Sequence, residues 1–156
     1  MSHLKYPSDV ASVDAVVEAL YEYISFPSGS GPDWERMRSL YLPTAQIIPS
    51  RKETGGVITV MNFDSFKAWA EPYIEENGWN QRGFYECDAG HITEVFGDIA
   101  HVLSVYEAKY LPDEPAFKRG INSIQLLRDG AGWRVTSIVW DMESEDWPIP
   151  EKLLKK

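Results

Sequence analysis

The chain closes with four consecutive apolar-rich segments, and the last two, FKRGINSIQLLRD and GWRVTSIVWDME, are joined by Asp129-Gly130-Ala131-Gly132. Glycines at such a junction permit the positive φ of a tight hairpin turn. Gly97-Asp98 can turn the first pair in the same way. The four segments, roughly Phe84 to Val95, Ile99 to Leu111, Phe117 to Arg128 and Trp133 to Met142, therefore predict a meander of long antiparallel strands. Strands of that length twist, and the helical stretch ahead of them supplies something to curl around. The expected architecture is α+β: a curved antiparallel sheet wrapped as a cone around about three N-terminal helices, open at one end.

From a cap at Ser12, the residues Val13, Val16, Val17, Leu20 and Ile24 recur at helical spacing, with Asp14, Glu18 and Glu22 on the opposite side. The prolines and glycines of Ser25 to Asp33 make that stretch a loop, after which Asp33 caps a second helix through Trp34, Met37, Leu40 and Tyr41 that ends before Pro43. Ala45 to Ile48 reads as a short strand, and Gly55-Gly56 introduces a second brief apolar run, Val57 to Met61. A third helix is marked by Phe66, Trp69, Ala70, Tyr73 and Ile74, starting near Asp64 or Ser65 and stopping at Gly78. Pro72 inside it is expected to kink or divide it, because proline lacks a donor and clashes one turn back. The C-terminal EDWPIPEKLLKK is expected to lie as an extended tail with Trp147 and Ile149 covered. The length of 156 residues suits a single domain, with 1–11 and 144–156 as terminal extensions.

Lys plus Arg number 15 against 24 Asp plus Glu, a formal charge of -9 spread along the chain. Nucleic acid and anionic membrane are repelled by such a surface, so neither is an expected partner. Cys87 is the single cysteine and has no internal partner for a disulfide, which points to a reducing, cytoplasmic setting. No apolar run approaches the roughly 20 residues of a membrane helix, and MSHLKYPSDVAS lacks the apolar middle of an export signal. His3, His91 and His101 have no spacing that converges on a metal, and the glycine pairs lack the lysine of a phosphate loop. Neither a metal nor a cofactor is expected.

Alternation shows which side chains share a sheet face. In the second long strand Ala100, Val102, Ser104 and Tyr106 lie on one side and Ile99, His101, Leu103, Val105 and Glu107 on the other. In the last strand Trp133, Val135, Ser137, Val139 and Asp141 alternate with Arg134, Thr136, Ile138, Trp140 and Met142. Both faces carry enough apolar area to need cover, one from helices and the other from a second copy or the tail.

The order helix, loop, helix, short strand, helix, four long strands, with the phrases FGDIAHVLSVYE, RGINSIQLLRDGAGWRV and TSIVWDME, resembles the nuclear transport factor 2-like superfamily, and within it the small bacterial ketosteroid-isomerase and SnoaL-like polyketide-cyclase proteins. The resemblance runs from Val13 to Glu143. It implies a cystatin-like α+β barrel with a mainly apolar cavity between helices and concave sheet face, and a homodimer formed through the convex face. It does not imply one activity, because the superfamily holds isomerases, dehydratases, cyclases and non-catalytic members alike.

In the isomerases and cyclases the chain resembles, a carboxylate removes a proton from carbon beside a carbonyl and a donor such as tyrosine stabilises the enolate oxygen. Asp141 and Glu86 are the candidate bases; Tyr106, Asn122, Tyr21 and Tyr73 are candidate donors, and Trp69 and His101 complete the expected ligand-binding set. Each has a plainer reading. Asp141 can bond neighbouring main chain or pair with Arg119, Glu86 can be a paired structural acid, His101 can be a satisfied core or interface histidine, and Tyr106 and Asn122 can bond each other across adjacent strands. The expected function is accordingly the binding of a small hydrophobic carbonyl compound in a conical pocket, by a cofactor-free isomerase, cyclase or dehydratase; the alternative is a non-catalytic ligand-binding or protein-partner module of the same fold.

Overall fold

The computed structural model describes residues 5–155. Helix α1 (Val13–Ile24) starts where the Ser12 hydroxyl accepts a hydrogen bond from Ala15 N at 3.0 Å. Burial extends beyond the expected stripe to Ala19, Tyr21 and Tyr23, leaving Asp14, Glu18 and Glu22 exposed. More than half of the circumference of α1 is thus covered, and one acidic stripe is left in solvent. Helix α2 (Trp34–Leu40), capped by Asp33 accepting from Arg36 N, runs straight into strand β1 (Tyr41–Ile48).

Helix α3 (Phe63–Glu76) opens with a reciprocal cap in which Asn62 and Ser65 each bond the other's main chain. Pro72 does not divide it. Both Pro72 and Ala68, whose carbonyl proline leaves without a helical donor, lie on the exposed side, where water can solvate that carbonyl. A single turn, α4 (Trp79–Arg82), follows Gly78 and has no counterpart in the sequence reading.

The long strands β2 (Tyr85–Phe96), β3 (Ile99–Lys109), β4 (Lys118–Asp129) and β5 (Gly132–Met142) form the expected meander, each bound lying within two residues of its sequence estimate. The sheet order is β1-β5-β4-β3-β2, and β1 pairs in parallel with β5, so the sheet is mixed and not wholly antiparallel. Val57 to Met61 is not a strand. Only Met61 bridges to Ile47, while Val57, Ile58 and Val60 are exposed.

Two of the sheet's three register shifts decide where the candidate site residues point. One lies between Asp88 and Gly90 in β2, and the other opposite Gln125–Leu126, where β5 passes from Val135 to Ser137. An extra residue in one strand inverts the alternation beyond it. In β5, Trp133 and Val135 face the helices before the shift, and Ile138 and Trp140 do so after it. In β2 the shift brings Asp88 and His91, three residues apart, to the same concave face.

On the convex face the tail lays Ile149 and Leu153 over Val105, with Lys155 N donating to Ala89 O at 2.9 Å. Gly90 lies beneath it with φ 154, and a Cβ there would overlap the Leu153 carbonyl. Trp147, expected to be covered, is 78% exposed. Beyond the tail, Ile92, Phe96, Ile99, Leu127 and Val139 stand exposed on that face among Glu94, His101 and Gln125.

Candidate functional site

Between α1, α3 and the concave sheet face lies a cavity of about 100 Å³, walled mainly by aromatic and aliphatic side chains. Glu86 enters it from the second residue of β2, the strand at the sheet edge. Its main chain is pinned from α1: Ser25 Oγ accepts from Glu86 N at 3.0 Å and donates to Tyr21 O at 2.7 Å. The residue as a whole keeps some exposure because its strand has no outer neighbour. Loss of solvent around the carboxyl nevertheless pushes its pKa up to about 7, with Glu53 adding to the rise and Lys118 and Asn122 opposing it. That midpoint suits a proton acceptor at neutral pH.

Glu53 and Lys118 join Glu86 on the cavity wall. Glu53 arrives from a 3-10 turn, Arg51–Glu53; its Oε1 accepts from Trp140 Nε1 at 2.7 Å and its Oε2 lies 3.8 Å from Lys118 Nζ. Both side chains are withdrawn from solvent, at 6% and 14% exposure. The ammonium also sits 5.2 Å from the Trp79 ring centroid, an attractive cation–π placement. Tyr73 stacks on Trp69 at 4.8 Å between centroids, and burial together with Glu53 pushes its phenol up to about 12.

Tyr106 reaches the cavity from β3 and is 2% exposed, yet its hydroxyl has no hydrogen-bond partner among the described residues. Burial and then the nearby Glu86 charge raise its pKa, so it is a neutral donor at any ordinary pH. Asn122, from β4, does not bond Tyr106; its Nδ2 donates to the Tyr21 hydroxyl at 3.1 Å. Tyr21 is in turn hydrogen-bonded to Ser104.

Glu86, Tyr106, Asn122, Tyr21, Tyr73 and Trp69 thus meet around one space. Asp141 does not join them. The β5 register shift turns Trp140 inward and Asp141 outward, leaving its side chain 72% exposed. There its Oδ1 accepts from Ser50 at 2.6 Å and from Met142 N at 2.8 Å; these bonds outweigh the effect of burial and hold its carboxyl below the usual range. Arg119 pairs instead with Glu143 and Glu107. His101 also lies outside the cavity, on the convex face of β3, with Nε2 3.0 Å from Ser123 Oγ. Lys118 and Glu53 were missed. Lys118 shares its inward face with Asn122 by simple alternation, a signal available in the sequence, whereas nothing local marks Glu53. Among the described residues no three His, Cys, Asp or Glu side chains are grouped to hold a metal; His3 lies outside those residues.

No protein-family model matches the chain, and no curated protein does. Solved structures do match. A nuclear transport factor 2-like protein of unknown function from Silicibacter pomeroyi is 17% identical over 85% of this chain and 93% of its own, with a TM-score of 0.58. A nuclear transport factor 2-like protein from Shewanella baltica is 16% identical over 85% and 94%, with a TM-score of 0.53. A protein of cystatin-like fold from Nostoc punctiforme is 10% identical over 72% and 78%, with a TM-score of 0.57. With the helix order, the curled sheet and the cavity they enclose, these likenesses establish that the chain has the nuclear transport factor 2-like, cystatin-like α+β fold.

Proposed function

We propose that the protein binds a small carbonyl compound in the cavity and moves a proton on it, with Glu86 as the base and Tyr106 as the donor to oxygen. The observation that carries this reading is the unpartnered, buried hydroxyl of Tyr106, a residue that lines the same cavity as Glu86. Buried hydroxyls are nearly always satisfied, and an orphan on a cavity-lining residue is what a ligand oxygen would complete. Glu86 takes the proton from carbon next to the carbonyl, the C–H electron pair becomes a C=C bond, and the carbonyl π pair moves to oxygen. Tyr106 hydrogen-bonds that oxygen as charge develops, and Glu86-H returns the proton to the same or a conjugated carbon. Isomerisation, aldol-type cyclisation and β-elimination of water, when they begin at the carbon beside a carbonyl, pass through such an enolate.

The assay needs only a small probe. Cyclohexanone in deuterated buffer should exchange its α-hydrogens faster with protein than without, and Glu86→Gln should remove the acceleration. Exchange at the buffer rate, or an equal rate in the variant, removes the catalytic reading. A non-catalytic binding module is favoured by the mutual satisfaction of Glu53, Lys118 and Trp140, which already hold one another; tryptophan emission that responds to cyclohexanone without exchange would select it. We also propose a homodimer through the convex face, supported by the open apolar residues Ile92, Phe96, Ile99, Leu127 and Val139. None of the described helices is long and apolar enough to cross a membrane.

A further inference from the structure

Glu86, Ala108 and Lys118 form one row across β2, β3 and β4, since Glu86 pairs with Ala108 and Ala108 with Lys118. Directly opposed residues share a sheet face and neighbouring strands lie about 5 Å apart, so the acid and the lysine stand about 10 Å apart at their Cα positions, with only a methyl group between them. The next row of the same face pairs Tyr106 with Gly120, over which the tyrosine ring and hydroxyl lie. Ala108 thus keeps the floor low between Glu86 and Lys118, and Tyr106 stands beside it on β3. All three polar residues line the cavity.

Lys118 is held in place with its donors unspent on the acid that holds it. Its Nζ lies 3.8 Å from Glu53 Oε2, an ion-pair distance longer than a hydrogen bond, so Glu53 balances its charge without taking up its three N–H groups. Glu53 is fixed from the other side by Trp140 Nε1 at 2.7 Å, and the Trp79 ring flanks the ammonium at 5.2 Å. One same-face step along β4, about 7 Å, separates Lys118 from Gly120 beneath the Tyr106 hydroxyl, and a lysine side chain is long enough to close it. A ligand oxygen between the two positions can therefore meet both donors. Proton transfer to Glu86 moves negative charge from the β2 side of the cavity onto that oxygen, on the side where the ammonium stands.

The geometry points to Lys118 as a further catalytic residue: opposite Glu86 across Ala108, its ammonium hydrogen-bonds the ligand oxygen beside Tyr106 and stabilises the charge that arrives there when carbon loses its proton. Lys118 keeps its own proton throughout. The C–H electron pair forms the C=C bond, the carbonyl π pair goes to oxygen, and the proton goes to Glu86. Glu53 and Trp140 act through Lys118, as positioning residues that hold the ammonium at the cavity wall. This role rests on the cavity being a carbonyl site, yet it does not need Glu86 to be an effective base, so the two can fail separately.

The test is isothermal titration calorimetry with cyclohexanone and cyclohexane-1,3-dione at about pH 6, where Glu86 is mostly protonated. The dione is largely ionised at that pH and already carries on oxygen the charge that cyclohexanone acquires only as it loses a proton. The wild type should bind the dione at least about tenfold more tightly than cyclohexanone. Lys118→Met should weaken the dione about tenfold or more, the size of a lost hydrogen bond between charged groups, and change cyclohexanone less than about twofold; Lys118→Arg, which keeps the charge, should restore most of the loss. A dione that binds no more tightly than cyclohexanone, or equal losses for both ligands in Lys118→Met, overturns the assignment, since a lysine that only shaped the cavity would affect both alike. If Lys118→Met does not fold, Glu53→Gln is compared with Glu53→Gln/Lys118→Met, in which Gln keeps an acceptor for Trp140 and no acid is left unpaired. Lys118-dependent dione binding without exchange of cyclohexanone α-hydrogens removes Glu86 as the base and leaves Lys118 as the cation for the ligand oxygen.

Discussion

Tyr106 on β3 lies directly opposite Gly120 on β4, and a Cβ at position 120 would overlap the Tyr106 ring and hydroxyl. The tyrosine fills the space that a side chain on its neighbour would take, a familiar use of a strand glycine. The same Cβ would overlap the Asp141 carbonyl of β5, so Gly120→Ala must both displace the ring and spread the strands, at a cost of about 1–3 kcal/mol. Urea denaturation measures it; an alanine variant as stable as the wild type would show that the ring and β5 both have room to move.

Replacing Tyr106 by Phe should have the opposite balance. Its hydroxyl has no partner among the described residues, so removing it abolishes no internal hydrogen bond and should leave stability equal or slightly higher. Probe exchange should fall about tenfold or more with the loss of the oxygen donor. A variant destabilised by more than about 1 kcal/mol would mean that the hydroxyl is bonded in the folded protein.

Glu86 should make the protein less stable as pH rises. Its pKa is raised from 4.5 to about 7, so between those values the folded state binds more protons than the unfolded chain, and unfolding free energy falls with pH through that window. The full effect is about 3 kcal/mol. Asp88, Asp141 and Glu143 have lowered pKa values and act with the opposite sign at more acid pH, where stability is lost as they protonate. Glu86→Gln should flatten the profile between pH 5 and 8 and be the more stable protein at pH 8. Parallel profiles in the two proteins would remove Glu86 as the cause.

The Glu53–Lys118 pair can be probed by a double-mutant cycle. Glu53→Ala leaves the Lys118 ammonium and the Trp140 indole N–H without their acceptor and should cost about 3 kcal/mol. Adding Lys118→Met should recover part of that loss by removing the unpaired charge. Strict additivity of the two single changes would show that the pair is not coupled.

For the convex face, light scattering at micromolar concentration should give twice the mass of one chain, and Val139→Glu should return it to a monomer. Val139 is 39% exposed in one chain and away from the cavity, so the change places a charge on the apolar face without disturbing the core. A monomeric wild type would eliminate the dimer.

Local rules were enough for much of the fold. Ser12 and Asp33 cap helices because a short side-chain acceptor beside free N–H groups suffices, and Gly97 and the Asp129–Gly132 turn join strands because their backbone freedom is intrinsic. The inward places of Tyr106 and Asn122 were legible for a similar reason, since the β3–β4 pairing runs from Ile99–Leu127 to Ala108–Lys118 without a shift and alternation holds throughout. Asp141 was misplaced because the shift opposite Gln125–Leu126 depends on how two strands fit together, and one added residue inverts every side chain after it. The parallel seat of β1 beside β5, and the arrival of Glu53 beside a tryptophan 87 positions away, likewise belong to tertiary structure. Sequence alone determined the three longer helices and the four long strands, because helical spacing, caps and turn residues act within a few positions; α4 and the strandless run Val57 to Met61 lay beyond that reach. The set of charges meeting inside the cone was decided by contacts between distant segments, whose free energy exists only once the chain has closed around its cavity.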